Sequence, residues 1–185
     1  RQIAHTLDRV GQPKVASAAA AMAAINPEVQ VHTVTARADA ALLDTLVPQV
    51  DVVLDCSDNF STRQAINRAC VQHRKPLVAG AAIRFDGQVS VYDSRQPQAP
   101  CYACVFPPDQ PPEEVQCATM GVFSPIVGII GAVQAAEALK LLSGAGTPLA
   151  GRLLMLDGRP MAWSEIRMAR DPACAVCGKQ HAGAL

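Results

Sequence analysis

Two Cys-x-x-Cys pairs, Cys101/Cys104 and Cys174/Cys177, stand in distant parts of this chain and restrict its folds more than any other feature. Each pair has the spacing that lets two thiolates chelate one tetrahedral Zn(II), and the second lies in a Pro-Ala-Cys-Ala-Val-Cys-Gly knuckle. A fold that serves both pairs at once must carry the end of the chain back against its middle. The ion would then staple distant segments rather than organise a mini-domain. Four protein ligands leave no open coordination position, so the zinc is expected to be structural. Buried or redox-paired thiols are the competing reading. Seven cysteines are an odd number, and no apolar leader opens the sequence. Both features argue against a secreted disulfide scaffold and for a reducing, cytoplasmic setting.

Helix and strand signals alternate ahead of the first pair. Residues 14–25, Ala-rich after Pro13 and stopped by Asn26-Pro27, predict a helix. Residues 29–35 alternate and are β-branched, which predicts a strand, and Asp39 can cap a short helix to about Leu46. Residues 51–55 read as a buried strand emptying into Cys56-Ser57-Asp58-Asn59. Ser61 can then cap a helix to about His73, and residues 76–79 form the next strand. This β-α-β-α-β rhythm predicts a parallel, doubly wound sheet. Beyond it, residues 82–84 and 88–92 flank Asp86-Gly87 as a hairpin, which makes the sheet mixed. Residues 97–117 are Pro-rich and read as a functional loop. Residues 125–142 predict a helix apolar nearly all round, buried between the sheet and another surface. Residues 152–156 and 162–168 read as two last antiparallel strands around Asp157-Gly158.

The chain has 185 residues, 50% of them hydrophobic and only 4% aromatic, so one domain with an aliphatic core is expected. Its 16 basic and 16 acidic side chains cancel, which gives a nucleic acid no electrostatic reason to bind. The apolar stretch 122–133 falls short of the roughly 18–20 residues that span a bilayer, so no membrane crossing is expected.

Asp55 and Asp58 fall at the carboxyl end of a predicted strand, where open α/β sheets bind ligands; an acid there can hold Mg(II) beside phosphates or accept from a ribose. Capping a turn or helix is the plainer role. Lys14 opposes the dipole of its own helix, which a phosphate would explain, although on the residues alone simple exposure is the favoured reading. Cys117 sits in an irregular segment just ahead of a helix, where a thiol can be reactive or merely present. Cys56 and Cys70 read as packing residues. No Gly-rich phosphate loop occurs: Gly144-Ala145-Gly146 ends a helix instead of opening one, which counts against a nicotinamide-dependent oxidoreductase.

Taken together, Asp51-Val-Val-Leu-Asp-Cys-Ser-Asp58-Asn59, Ala79-Gly80-Ala81-Ala82-Ile83-Arg84 with Gly87-Gln88, Cys101-Tyr-x-Cys104, the stretch 121–128 and Cys174-x-x-Cys177-Gly178 resemble the MoeB/ThiF/HesA family. These are E1-like enzymes that adenylylate ubiquitin-like sulfur-carrier proteins. The resemblance runs along the whole chain, and Arg1-Gln2 and Gly11-Gln12-Pro13-Lys14 resemble the family's Arg-Gln and Pro-Lys elements. It implies a Rossmann-like α/β domain over residues 1–185 that lacks its N-terminal portion, the Gly-rich nucleotide loop included, with residues 97–120 as a crossover loop. It further implies attack by a carrier's C-terminal glycine carboxylate on the α-phosphate of ATP. Arg1 and Lys14 would neutralise phosphates, Asp58 would hold Mg(II) or position ATP, Asn59 would join the nucleotide site, and Cys117 would match the cysteine that ThiF-like members link to the carrier. The partners implied are a MoaD- or ThiS-type carrier ending in Gly-Gly and a second copy of the chain. A non-catalytic, zinc-stapled carrier-binding module is the alternative expectation.

Overall fold

The computed structural model describes residues 3–110 and 121–178, which divide into two compact units, Arg1–Ala38 and Asp39–Leu185. In the first unit, helix α1 (Lys14–Ile25) begins directly after Pro13, whose missing N–H costs nothing at a helix start, and stops at Asn26. The strand expected over 29–35 does not form. The segment carries no regular secondary structure and pairs with no described strand, and Val29, Val31 and Val34 stay 48%, 37% and 39% exposed. Alternation supplies a strand with a face, but only a partner backbone supplies its hydrogen bonds.

In the second unit Asp39 caps α2 (Ala40–Leu46), its carboxylate accepting from the Leu42 amide at 2.9 Å. Strand β1 (Val53–Asp55) leads into α3 (Phe60–Gln72) and then β2 (Leu77–Ile83), which pairs parallel to β1 with Val53 opposite Leu77. Strands β3 (Asp86–Tyr92), β4 (Arg152–Asp157) and β5 (Ala162–Arg167) follow antiparallel, in sheet order β1-β2-β3-β4-β5. The mixed sheet expected from the sequence is therefore present, although the described residues contain one parallel pair rather than a series. Leu77 and Val78 are both fully buried, so alternate side chains of β2 are covered on both faces.

Three local expectations give way to packing. The cap of α3 is Asn59, not Ser61: Asn59 Oδ1 accepts from the Thr62 amide and from Ser61 Oγ, each at 2.9 Å. The hairpin turns at Arg84-Phe85, with Ile83 opposite Asp86 and Arg84 at φ 50°, so Asp86-Gly87 opens β3 instead of forming the turn. Gly87 is needed for another reason, since a Cβ there would lie 2.6 Å from Cδ1 and Cγ1 of Ile130. The segment 97–117 is not loop throughout. It contains the one-turn helix α4 (Tyr102–Val105), which holds Cys104 and begins directly after Cys101.

Helix α5 (Ser124–Ser143) ends at Gly144 in the left-handed conformation. Ile126 and Ile130 pack with Val78, Val89, Val91 and Leu156 into the main core cluster. At 20 residues it is long and apolar enough to cross a membrane by length and composition, longer than the stretch read from the sequence. Its contacts with β2 and β3 are nevertheless those of a core helix. Only that face is covered. On the other, Leu139 and Leu142 are 65% and 55% exposed, and the second covering surface expected for this helix is absent among the described residues.

Candidate functional site

The carboxyl ends of β1 and β2 meet the start of α3, and the chain builds a rigid corner there. Asp55 is 1% exposed; one carboxylate oxygen accepts from the Ser57 amide at 2.8 Å, and the other faces Arg63 Nη1 at 3.4 Å. Arg63, from the first turn of α3, also donates from Nη1 to the Gly80 carbonyl at 3.0 Å and from Nη2 to the Ser57 carbonyl. One guanidinium thus ties β1, β2 and the intervening loop together. From the far side Gln134 of α5 donates to the carbonyls of Asp55 at 2.9 Å and Val78 at 3.3 Å. It lies so close over β2 that a Cβ on Gly80 would come within 2.3 Å of its Cδ. That close approach explains why a single strand runs through Gly80 where the sequence suggested a break.

Asp58 projects from this corner and is exposed, with Asn59 Nδ2 3.5 Å from its carboxylate. The two acids expected to share the site have separated roles: Asp55 is a buried structural anchor and Asp58 the accessible carboxylate. Asn59 Oδ1 is occupied by capping, which leaves its Nδ2 as the group that faces Asp58. Cys56 is exposed rather than packed, its thiol reaching Gln134 Oε1 at 3.7 Å, whereas Cys70 is buried as expected. Burial, with a smaller contribution from the Asp55 charge, pushes the Cys70 thiol up to about 12, which makes it inert. Sequence reasoning missed Arg63 and Gln134. The signal for Arg63 was the one used for Lys14, a cation set against a helix N-terminus.

In the first unit Lys14 is exposed at the first position of α1, beside a recess of about 310 Å³ that Arg9, His5 and Gly11 also line. Arg9 Nη1 donates to the Ser17 carbonyl at 2.8 Å, and His5 Nδ1 lies 2.8 Å from Ser17 Oγ, so a second cation, unnoticed in the sequence, is fixed next to Lys14. Arg1 and Cys117 lie outside the described residues.

The four paired cysteines come together. Sγ of Cys101 lies 3.8 Å from that of Cys104 and 3.7 Å from that of Cys174, Cys104 and Cys177 are 3.4 Å apart, and all four sulfurs fall within 4.8 Å of one another. A tetrahedron with Zn–S bonds of ~2.3 Å has sulfur-to-sulfur edges of ~3.8 Å, so the donor set and its size fit zinc. The thiols are not equivalent. A hydrogen bond from Cys101 draws the Cys104 thiol down against the effect of its burial, while burial and the neighbouring Cys104 push Cys177 up.

Hydrogen bonds fix the backbone at Phe106, and again at Gly121 and Phe123. Gln64 of α3 donates to the Phe106 carbonyl at 2.6 Å, and Arg84 N–H donates to Gly121 O at 3.1 Å while Phe123 N–H donates to Arg84 O at 2.7 Å. Phe85 and Phe123 stack at 4.9 Å between centroids and are 37% and 43% exposed; Trp163 and Ile166 on β5 are 42% and 49% exposed.

A mixed sheet that places an exposed acid at the carboxyl end of its parallel strand pair, where open α/β sheets bind ligands, together with a four-cysteine cluster, defines an α/β protein with a candidate ligand site. Comparison with known proteins narrows this. The ThiF family model matches residues 1–176, and the chain belongs to that family. It is 41% identical over 182 residues to the molybdopterin-synthase adenylyltransferase of Escherichia coli K12, covering 97% of this chain and 71% of that protein. It is equally 41% identical to the sulfur carrier protein ThiS adenylyltransferase of the same organism, covering 98% and 71%. An adenylyltransferase and sulfurtransferase MOCS3 of Drosophila persimilis is 42% identical, with 97% of this chain and 40% of that protein covered. Among solved structures, E. coli MccB with ATP superposes with a TM-score of 0.80 at 20% identity, over 96% of this chain and 55% of that one, and supports the fold.

Proposed function

We propose that the chain is the adenylylating domain of an E1-like enzyme: it uses ATP to activate the C-terminal glycine of a ubiquitin-like sulfur-carrier protein for cofactor biosynthesis. The observation that carries this reading is the exposed Asp58 on a loop that Asp55, Arg63 and Gln134 hold rigid at the strand ends. The carrier carboxylate attacks the α-phosphorus, the bond from that phosphorus to the bridging oxygen breaks, and pyrophosphate leaves with the electron pair. Such displacements are accelerated by position and by charge placed where negative charge builds up. Asp58 and Asn59 bind the nucleotide, with Asp58 as the holder of magnesium; Lys14 and Arg1 draw charge from the phosphates. The ion, when bound, supplies neutralisation of the departing pyrophosphate. The zinc fitted by Cys101, Cys104, Cys174 and Cys177 is structural, and a reducing cytoplasm keeps its four thiolates available. Cys117 is the candidate for a covalent link to the carrier.

The exposed Phe85/Phe123 stack lies at the β2–β3 turn; because Val89, Ser90, Val91 and Tyr92 are buried, we assign the carrier's docking surface, expected over residues 82–92, to the exposed turn end of that hairpin together with the crossover loop. Incubating the intact protein with ATP and labelled pyrophosphate should give exchange only when a Gly-Gly-ending carrier is present. Carrier binding with no ATP binding would instead support the non-catalytic module.

The uncovered face of α5 supports a homodimer, because Leu139 and Leu142 are apolar and exposed while a side chain on Gly128 or Gly131 would meet only open space. Replacing Leu139 with Asp should convert a dimer into a monomer in sedimentation velocity without lowering the melting temperature of the monomer. An unchanged dimer removes α5 from the interface.

A further inference from the structure

Resting on the reading of the four cysteines as a metal centre, we infer that Arg170 and Asn67 are its outer-sphere partners, stabilising the thiolates through charge and N–H donation. Four thiolates around a divalent ion leave two excess negative charges, and three of the four ligands, Cys101, Cys174 and Cys177, are only 2%, 6% and 3% exposed. Buried charge of that size requires donors and a counter-charge. A donor stands at one of the sulfurs, and a guanidinium stands at the backbone of another ligand. Asn67 on α3 is 1% exposed and is held in one orientation: its Oδ1 accepts from the Tyr102 amide at 2.9 Å, and its Nδ2 points at Cys101 Sγ at 3.7 Å. Arg170 donates from Nη2 to the Cys177 carbonyl at 3.0 Å. Its Nε is buried and has no partner among the described residues. A buried guanidinium N–H without an acceptor is costly, and in a site that must become anionic on loading it is the group expected to find one. The same helix carries Arg63 to the Asp55 corner and Asn67 to Cys101, so the outer sphere reaches the strand-end site through one rigid element.

The test is metal retention and spectroscopy, not activity. Intact protein is first assayed for bound zinc and then loaded with Co(II) in place of it. For Arg170→Met, zinc release to a chromogenic chelator should be about 10- to 100-fold faster than for the parent, the usual range for a lost outer-sphere partner. The thiolate-to-cobalt charge-transfer band should move to lower energy, because less stabilised sulfur lone pairs are easier to ionise. Arg170→Lys, which keeps the charge but loses the planar fork, should fall between the two and decides the matter if the Met variant does not accumulate as folded protein. If Arg170 only braces the Cys177 backbone, the band stays in place in both variants, and that result overturns the inference. A parent protein that holds neither zinc nor cobalt overturns the metal reading itself, a different failure from a loaded centre indifferent to Arg170.

Discussion

Asp58→Ala is expected to lower carrier-dependent ATP–pyrophosphate exchange by about 10²–10³-fold, the cost of removing one well-placed charged group from a site that works by electrostatics. It should do so without unfolding the protein. Asp58 is exposed and its carboxylate holds no buried partner, so its loss should change stability by no more than about 0.5 kcal/mol. Asp58→Asn separates the two roles open to this side chain. If charge toward magnesium is what it contributes, Asn is nearly as inactive as Ala; if it only accepts a hydrogen bond from the nucleotide, Asn retains most of the exchange. Plotting kcat and KM for ATP across magnesium concentrations distinguishes these outcomes, since a lost metal holder is partly rescued by excess magnesium.

The second large effect concerns the anchor beneath that residue. In Arg63→Met the Asp55 carboxylate, 1% exposed, loses its cationic partner at 3.4 Å, and the carbonyls of Ser57 and Gly80 lose their shared donor. Breaking a buried pair from one side typically costs ~3–5 kcal/mol. For a chain of this size that corresponds to a fall in melting temperature of about 10 °C. The double variant Asp55→Asn/Arg63→Met should recover much of the stability, because no buried charge is then stranded. It should not recover exchange activity, because the loop carrying Asp58 remains unfastened. Equal melting temperatures for the single and double variants would show that the pair is not the anchor described here.

What the sequence disclosed was local or chelating. Asp39 was legible as a cap because the side chain and the amide it satisfies are three residues apart. The cysteine centre was legible because each pair is spaced for one ion, whatever the fold does between them. What it hid depended on distant partners. Asp86-Gly87 has the composition of a hairpin turn, yet Gly87 is there to clear Ile130, forty-odd residues on in α5. Residues 29–35 alternate like a strand but have no described neighbour to pair with. Asn59 and Ser61 are both competent caps, and only the position of the first turn of α3 chose between them. Asp55 and Asp58 looked alike in sequence. Burial separated them, through an arginine that no motif had singled out. The exposed face of α5 was the reverse case: an all-round apolar pattern that predicted cover, which the described residues supply on one face only.

The central claim is that this domain joins AMP to the end of a carrier protein, and the most direct measurement is the mass of the carrier itself. Intact protein, ATP, magnesium and a Gly-Gly-ending carrier of the MoaD or ThiS type are mixed, and the carrier is weighed by electrospray mass spectrometry after rapid quenching. A carrier that gains one AMP, with none gained when its terminal glycine is removed or when Asp58→Ala replaces the parent enzyme, is the predicted result. A carrier that binds the protein but keeps its mass, whichever carrier type is offered, would contradict it.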